Sequence, residues 1–167
     1  MQQPQDNSLN IIHSEHACGD CTACCSRLPI SAGIVSPEQK LAGTDCPHQC
    51  SSGCSIYQDR PSICQSFECS WITQKNWEAG WRPDHVGLLC LEENLSETCK
   101  GAAIYEIRRG ALSTPDGIEI FQQIKKRTDM VVLIYFNGTR HTIVKEPTEE
   151  KTKSIIRPLT VKGRKSA

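Results

Sequence analysis

Eleven cysteines punctuate a chain of 167 residues, and nine of them fall between Cys18 and Cys69. The densest stretch, CGDCTACC, sets Cys18, Cys21, Cys24 and Cys25 in the spacing C-x2-C-x2-C-C. Cys46, Cys50, Cys54, Cys64 and Cys69 follow. Thiolates are soft ligands suited to zinc, copper(I) and iron–sulfur clusters. Two intervening residues let both sulfurs of a pair turn toward one ion, so this density points to metal chemistry. The adjacent pair bears on how many ions are held. On an α-helix neighbouring side chains point about 100° apart, whereas Cys21 and Cys25, at i and i+4, share a face. Cys24 and Cys25 therefore suit different metal centres, or different metals of one cluster. A structural zinc takes four ligands, so eight thiolates suffice for two zincs or for a larger cluster. The bacterial ferredoxin run C-x2-C-x2-C-x3-C-P is not matched, because Cys25 follows Cys24 at once and no C-P comes after it.

The second cysteine group carries the segment IYQDRPSIC. Pro61 suits the first turn of a helix bearing Cys64. Arg60 has two readings: it offsets the negative charge of clustered thiolates, with Asp59 as an alternative acceptor, or it caps a surface turn. His13, His16, His48 and His85 are further ligand candidates, since imidazole is a common zinc ligand. With nine local thiols none of them is needed. Cys90 sits in an apolar run and reads as a small buried residue, and Cys99 as an exposed free thiol. Trp71, Trp77 and Trp81 read as a cover that buries the flank of the metal module.

At this point the pattern C-x2-C-x2-C-C, a further cysteine, C-S-I-Y-Q-D-R-P-S-I-C and F-E-C resembles the YkgJ-type cysteine-cluster family, also described as a zinc- or iron-chelating domain. The resemblance covers Cys18 to Trp71, with RPDHVG at Arg82–Gly87 as a similar continuation. It implies a ligand set of Cys18, Cys21, Cys24, Cys25, Cys46, Cys54, Cys64 and Cys69, with Cys50 an extra thiol that could replace Cys46. It implies zinc or iron as cofactor, a 4Fe–4S cluster included. The family commonly has Arg where this chain has Gln65, which removes a charge-balancing group. A similar cluster occurs in flagellin lysine N-methylases, but no methyl-donor site is recognisable here.

Composition bounds the rest. Nineteen Lys plus Arg balance nineteen Asp plus Glu, so no basic surface argues for nucleic acid. Aromatics make up 5% of the chain, which implies a modest apolar core that needs other support. The first residues show neither a basic start nor an apolar stretch of signal length, and no run approaches the ~20 apolar residues of a membrane span. Dense, odd-numbered cysteines then imply a cytoplasmic protein with reduced thiols. No G-x-S-x-G, P-loop, dinucleotide fingerprint or H-E-x-x-H is present.

Beyond Trp71 the character changes. TQKNWEAGW predicts a short helix ended by Gly80. HVGLLCLEE and AAIYEIRRG predict strands. TPDGIEIFQQIKKR predicts a helix with Thr114 or Asp116 as cap, Pro115 in its first turn, a basic C-terminal end, and Ile120, Phe121 and Ile124 as apolar face. MVVLIYF predicts a central strand, and Asn137-Gly138 a hairpin. The expected protein is α+β: a small cysteine-rich, metal-bound module of loops and short helices packed on a C-terminal strand–helix–β-hairpin layer. Residues 1–15 read as a flexible N-terminus, 16–75 as the metal-binding module, 76–146 as the α+β layer and 147–167 as a disordered tail. Three functions follow. The first is a metal-binding protein. The second is an iron–sulfur oxidoreductase or methyl-transfer component. The third is a protein-interaction module whose C-terminal layer and basic tail meet a partner.

Overall fold

A computed structural model describes residues 16–145 of the chain. The N-terminal stretch 1–15, with His13, and the tail 147–167 lie outside the described residues. The protein is mixed α+β. In chain order the elements are α1 (Ala23–Arg27), β1 (Gln49–Cys50), β2 (Gly53–Cys54), α2 (Ser62–Gln65), α3 (Ser70–Thr73), a 3-10 turn at Ala79–Trp81, α4 (Pro83–Val86), β3 (Leu88–Ser96), β4 (Cys99–Glu106), a second 3-10 turn at Ala111–Ser113, α5 (Pro115–Arg127), β5 (Met130–Ile134) and β6 (Arg140–Val144).

Strands β3 to β6 form one sheet in that order. β4 and β5 are parallel, and the other two pairings are antiparallel. A parallel pair needs a crossover, and α5 supplies it. Thr114 is its N-cap, with the hydroxyl accepting from Gly117 N at 3.1 Å. Pro115 sits at the start, where a missing N–H costs nothing. Of the expected apolar face, Ile120 and Ile124 are fully buried and Phe121 is half-buried. Burying each isoleucine stabilises the fold by about 1.5–3 kcal/mol.

By register, Cys90, Ile104, Ala102, Val131 and Leu133 share one face of the sheet, and they are buried in one cluster with Ile120 and Ile124. The start of β3 is buried on three successive residues, Leu88 to Cys90, which requires cover on both faces. The same cluster takes in Ala23, Cys69, Trp71, Trp77 and Trp81 from the first half of the chain. The three tryptophans are core residues, each no more than 6% exposed. Glu92 joins the halves electrostatically. It accepts two hydrogen bonds from Arg127, at 2.7 and 2.8 Å, and one from Ser70 Oγ at 3.0 Å.

Several expectations need correction. TQKNWEAGW is not one helix: α3 ends at Thr73, Trp77 N closes a turn on Gln74 O, and Glu78 is extended before the 3-10 turn. That break lets Trp77 and Trp81 both reach the core, where their rings meet edge to face at 5.7 Å. The strand expected from His85 begins only at Leu88, because Pro83 starts a helical turn that Gly87 ends in the left-handed region. A Cβ on Gly87 would stand 2.9 Å from Arg108 Cβ. Cys99 is half-buried rather than exposed. MVVLI of the expected MVVLIYF forms an interior strand, Tyr135 and Phe136 passing into the turn, and the Asn137-Gly138 hairpin does form, with Gly138 at φ 85°. No described helix is long and apolar enough to cross a membrane.

Candidate metal centre

The thiols are held by short, loop-joined pieces of chain. Gly19, at φ 55°, turns the backbone after Cys18. Cys21 N then bonds Cys18 O at 3.0 Å, and α1 carries Cys24 and Cys25. The two-residue strands β1 and β2 pair Gln49 with Cys54 and Cys50 with Gly53. Pro61 is the N-cap of α2, which carries Cys64, and Cys69 is the N-cap of α3. Ends of the run are tied together: His16 Nδ1 donates to Trp71 O at 2.8 Å and its ring stacks on Trp71 at 3.8 Å. Trp71 Nε1 donates to Ala17 O at 3.3 Å.

All eleven cysteines are free thiols. Two cavities collect eight of them. The larger, of about 210 Å³, is lined by Cys18, Cys21, Cys24, Cys25, Cys46, Cys54 and Cys64, together with an apolar wall that includes Leu28, Val35 and Phe67. The smaller, of about 20 Å³, is lined by Cys18, Cys21, Cys24 and Cys69 against Ala23, Trp71 and Leu89. Thus Cys24 borders both spaces and Cys25 only the larger. All eight cysteines singled out by the sequence face one or the other. Cys50 does not: it is exposed, with its sulfur 3.4 Å from Ser52 Oγ, so Cys46 is the thiol that faces the larger cavity. Among the described residues no group of three or more Cys, His, Asp or Glu side chains stands in an arrangement that could hold a metal ion. The thiols surround spaces without converging on a point.

The adjacent thiols of Cys24 and Cys25 influence each other's titration. Interaction with Cys25, together with burial, pushes Cys24 well above the usual thiol range. Interaction with Cys24 brings Cys25 down to about 7 against the opposing effect of burial, with Lys40 and Arg60 adding their charge. Burial pushes Cys21 up to about 11 and raises Cys64 and Cys69. Metal binding at these thiols must therefore displace protons.

Two cations attend the larger cavity. Lys40 is 5% exposed, and its Nζ donates to Leu28 O at 2.6 Å. Burial lowers its pKa, while Cys46 and Cys25, the first of its acidic neighbours, support its charge. Arg60 lines the cavity and serves both readings given to it: Nε donates to Tyr57 O at 2.8 Å across a turn, and its charge lowers Cys25. Gln65 donates to Arg60 O at 2.6 Å and brings no charge to the site. Lys40 was missed by sequence reasoning. Nothing in EQKLAG sets it apart from a solvated lysine, and only the Ile30–Lys40 bridge, bonded both ways at 3.0 Å, turns it inward.

Histidines play other parts. His48 lines the larger cavity but bonds Val35 O at 3.1 Å. His85 is exposed beside Asp84 and Arg82. Arg82, from the RPDHVG segment, bridges Asp84 at 2.6 Å and Asp20 at 2.9 Å, and so anchors the CGDC loop to α4. Cys90 is buried apart from the thiol cavities, as a small core residue. No protein-family model, curated protein or solved structure matches the chain.

Proposed function

We propose that this is a metal-binding protein that holds zinc or iron through cysteine thiolates, in a reducing, cytoplasmic setting where thiols stay unpaired. One observation carries the reading: thiols up to 51 residues apart in sequence, Cys18 to Cys69, gather around two adjoining cavities. A buried lysine beside them supports it, because an ammonium withdrawn from water needs nearby negative charge, and thiolates would supply it. The residues fit such a group by chemistry: soft donors in sets of four, a cationic rim and an apolar wall that excludes water. The thiols line the two cavities without converging on a point. An ion supplies the attraction that would draw them inward.

The ligands would be Cys18, Cys21, Cys24, Cys25, Cys46, Cys54, Cys64 and Cys69. What the metal supplies is cross-linking of loops too short of regular structure to hold themselves; in small modules a structural zinc contributes about 10 kcal/mol or more to folding. This chain's own residues position the thiols, balance charge through Lys40 and Arg60, and seal one side with Trp71 and Leu89. The motif's resemblance to the YkgJ-type family supports the same reading. Elemental analysis and a visible spectrum of protein purified without oxygen test it. Stoichiometric zinc in a colourless protein, or iron with thiolate-to-iron absorption, is the expected result. A fully reduced protein that binds neither when each is supplied in excess refutes it.

A further inference from the structure

Each cavity offers a complete set of four thiols, and the sets need not overlap. Cys18, Cys21, Cys24 and Cys69 all line the smaller space. Cys25, Cys46, Cys54 and Cys64 line the larger and are absent from the smaller. Cys24 and Cys25, neighbours on α1, fall on opposite sides of this division, because Cys25 lines only the larger space.

The surroundings of the two sets differ. The smaller space is floored by core residues, Ala23, Trp71 and Leu89, and Cys69 is itself part of the hydrophobic cluster. A volume of about 20 Å³ suits a single ion and no more. The larger space, about 210 Å³, is ten times as roomy, and the charged side chain of Arg60 lines it. Structural metal sites are closed, whereas working sites keep room beside the ion.

Resting on the metal-binding reading above, we infer that the protein holds two inequivalent tetrathiolate centres: a closed structural one formed by Cys18, Cys21, Cys24 and Cys69, and an accessible, exchangeable one formed by Cys25, Cys46, Cys54 and Cys64. Splitting Cys24 from Cys25 gives each ion four ligands with no sulfur counted twice. The closed centre fastens the cysteine-rich loops to the sheet. The accessible centre is where metal enters, leaves or meets a further ligand.

The test is a titration of the reduced full-length chain with cadmium-113, read by bound stoichiometry and by cadmium NMR, followed by challenge with a competing chelator. Two equivalents, two resonances in the tetrathiolate range and stepwise release are expected. Cys54→Ser should lose one equivalent and one resonance and keep the slowly released ion. Cys69→Ser should lose the other resonance; should it fail to fold, the wild-type spectrum and Cys54→Ser still decide. A single equivalent, two ions released together, or both resonances lost on Cys54→Ser would overturn the division while leaving metal binding intact. No cadmium bound at all would overturn the metal-binding reading itself.

Discussion

Residues 16–82 and residues 83–145 solve the problem of holding a chain in place by opposite means. The second stretch pairs its backbone: four strands of five to nine residues and a thirteen-residue helix satisfy one another's N–H and C=O groups. The first has helices of four or five residues and strands of two. Helices that short do not persist on their own. What orders them is side-chain chemistry: thiols around shared spaces, Arg82 on Asp20, His16 on Trp71, and tryptophans sunk into the cluster. A regular sheet carries its own stability, while the irregular module takes its order from side-chain contacts and from the wall it leans on.

Metal removal is the strongest way to break that comparison. Chelation should cost the first half about 10 kcal/mol per zinc. Amide exchange, read residue by residue, should lose protection across 18–71 and keep it at Ile104 and Val131. Equal loss in both halves would show that the sheet leans on the module instead. Ile124→Ala attacks the other side. It should destabilise the sheet layer by roughly 2–5 kcal/mol in denaturant unfolding, as cavities in packed cores do, without changing metal stoichiometry.

Glu92→Ala probes the joint between the halves. It leaves Arg127, half-buried, without its carboxylate, and Ser70 without its acceptor. Hydrogen bonds to charged groups suggest a loss of about 1.5–3 kcal/mol, and the first residues to gain exchange should be those of α3. Gly117→Ala sharpens the account of α5. Propensity alone predicts a more stable helix, but the new Cβ would collide with Ala111 O. We expect a loss of about 1–3 kcal/mol, as for other overpacked sites; an increase in melting temperature would show that the preceding 3-10 turn yields easily. The smallest effect belongs to Cys50→Ser. Cys50 is exposed and outside both cavities, so bound metal should not change, while Cys46→Ser lowers it. Equal losses would restore Cys50 as a ligand.

The sequence spoke clearly wherever the determinant was local. Thr114-Pro115 at the head of α5, Asn137-Gly138 between β5 and β6, and the apolar run from Met130 each carry their conformation in neighbouring residues. The eight thiols picked out by spacing and motif do line the two cavities. Choices settled at long range were not legible in the sequence. Whether Cys46 or Cys50 faces the cavity depends on how a two-residue hairpin is oriented, which spacing does not encode. Lys40 is turned inward by a bridge to Ile30, ten residues away. The segment from Thr73 to Trp81 has helical composition, yet two indoles must reach one core, and that demand ends the helix at Thr73. Burying them leaves both indole N–H groups without a hydrogen-bond partner, so ring packing outweighs polar satisfaction there.

The wall behind Cys69 has a consequence for the order of events at the ribosome. Leu89, Ile104 and Ile120, which share the cluster with Cys69 and Trp71, are all translated after the last of the eight clustered thiols. During synthesis those sulfurs emerge before the sheet wall behind Cys69 is made. If metal binds as proposed, loading of the set with Cys69 would wait for, or coincide with, closure of the sheet, and a nascent chain arrested before residue 120 would present eight sulfurs without that wall to whatever oxidant or stray ion it met first.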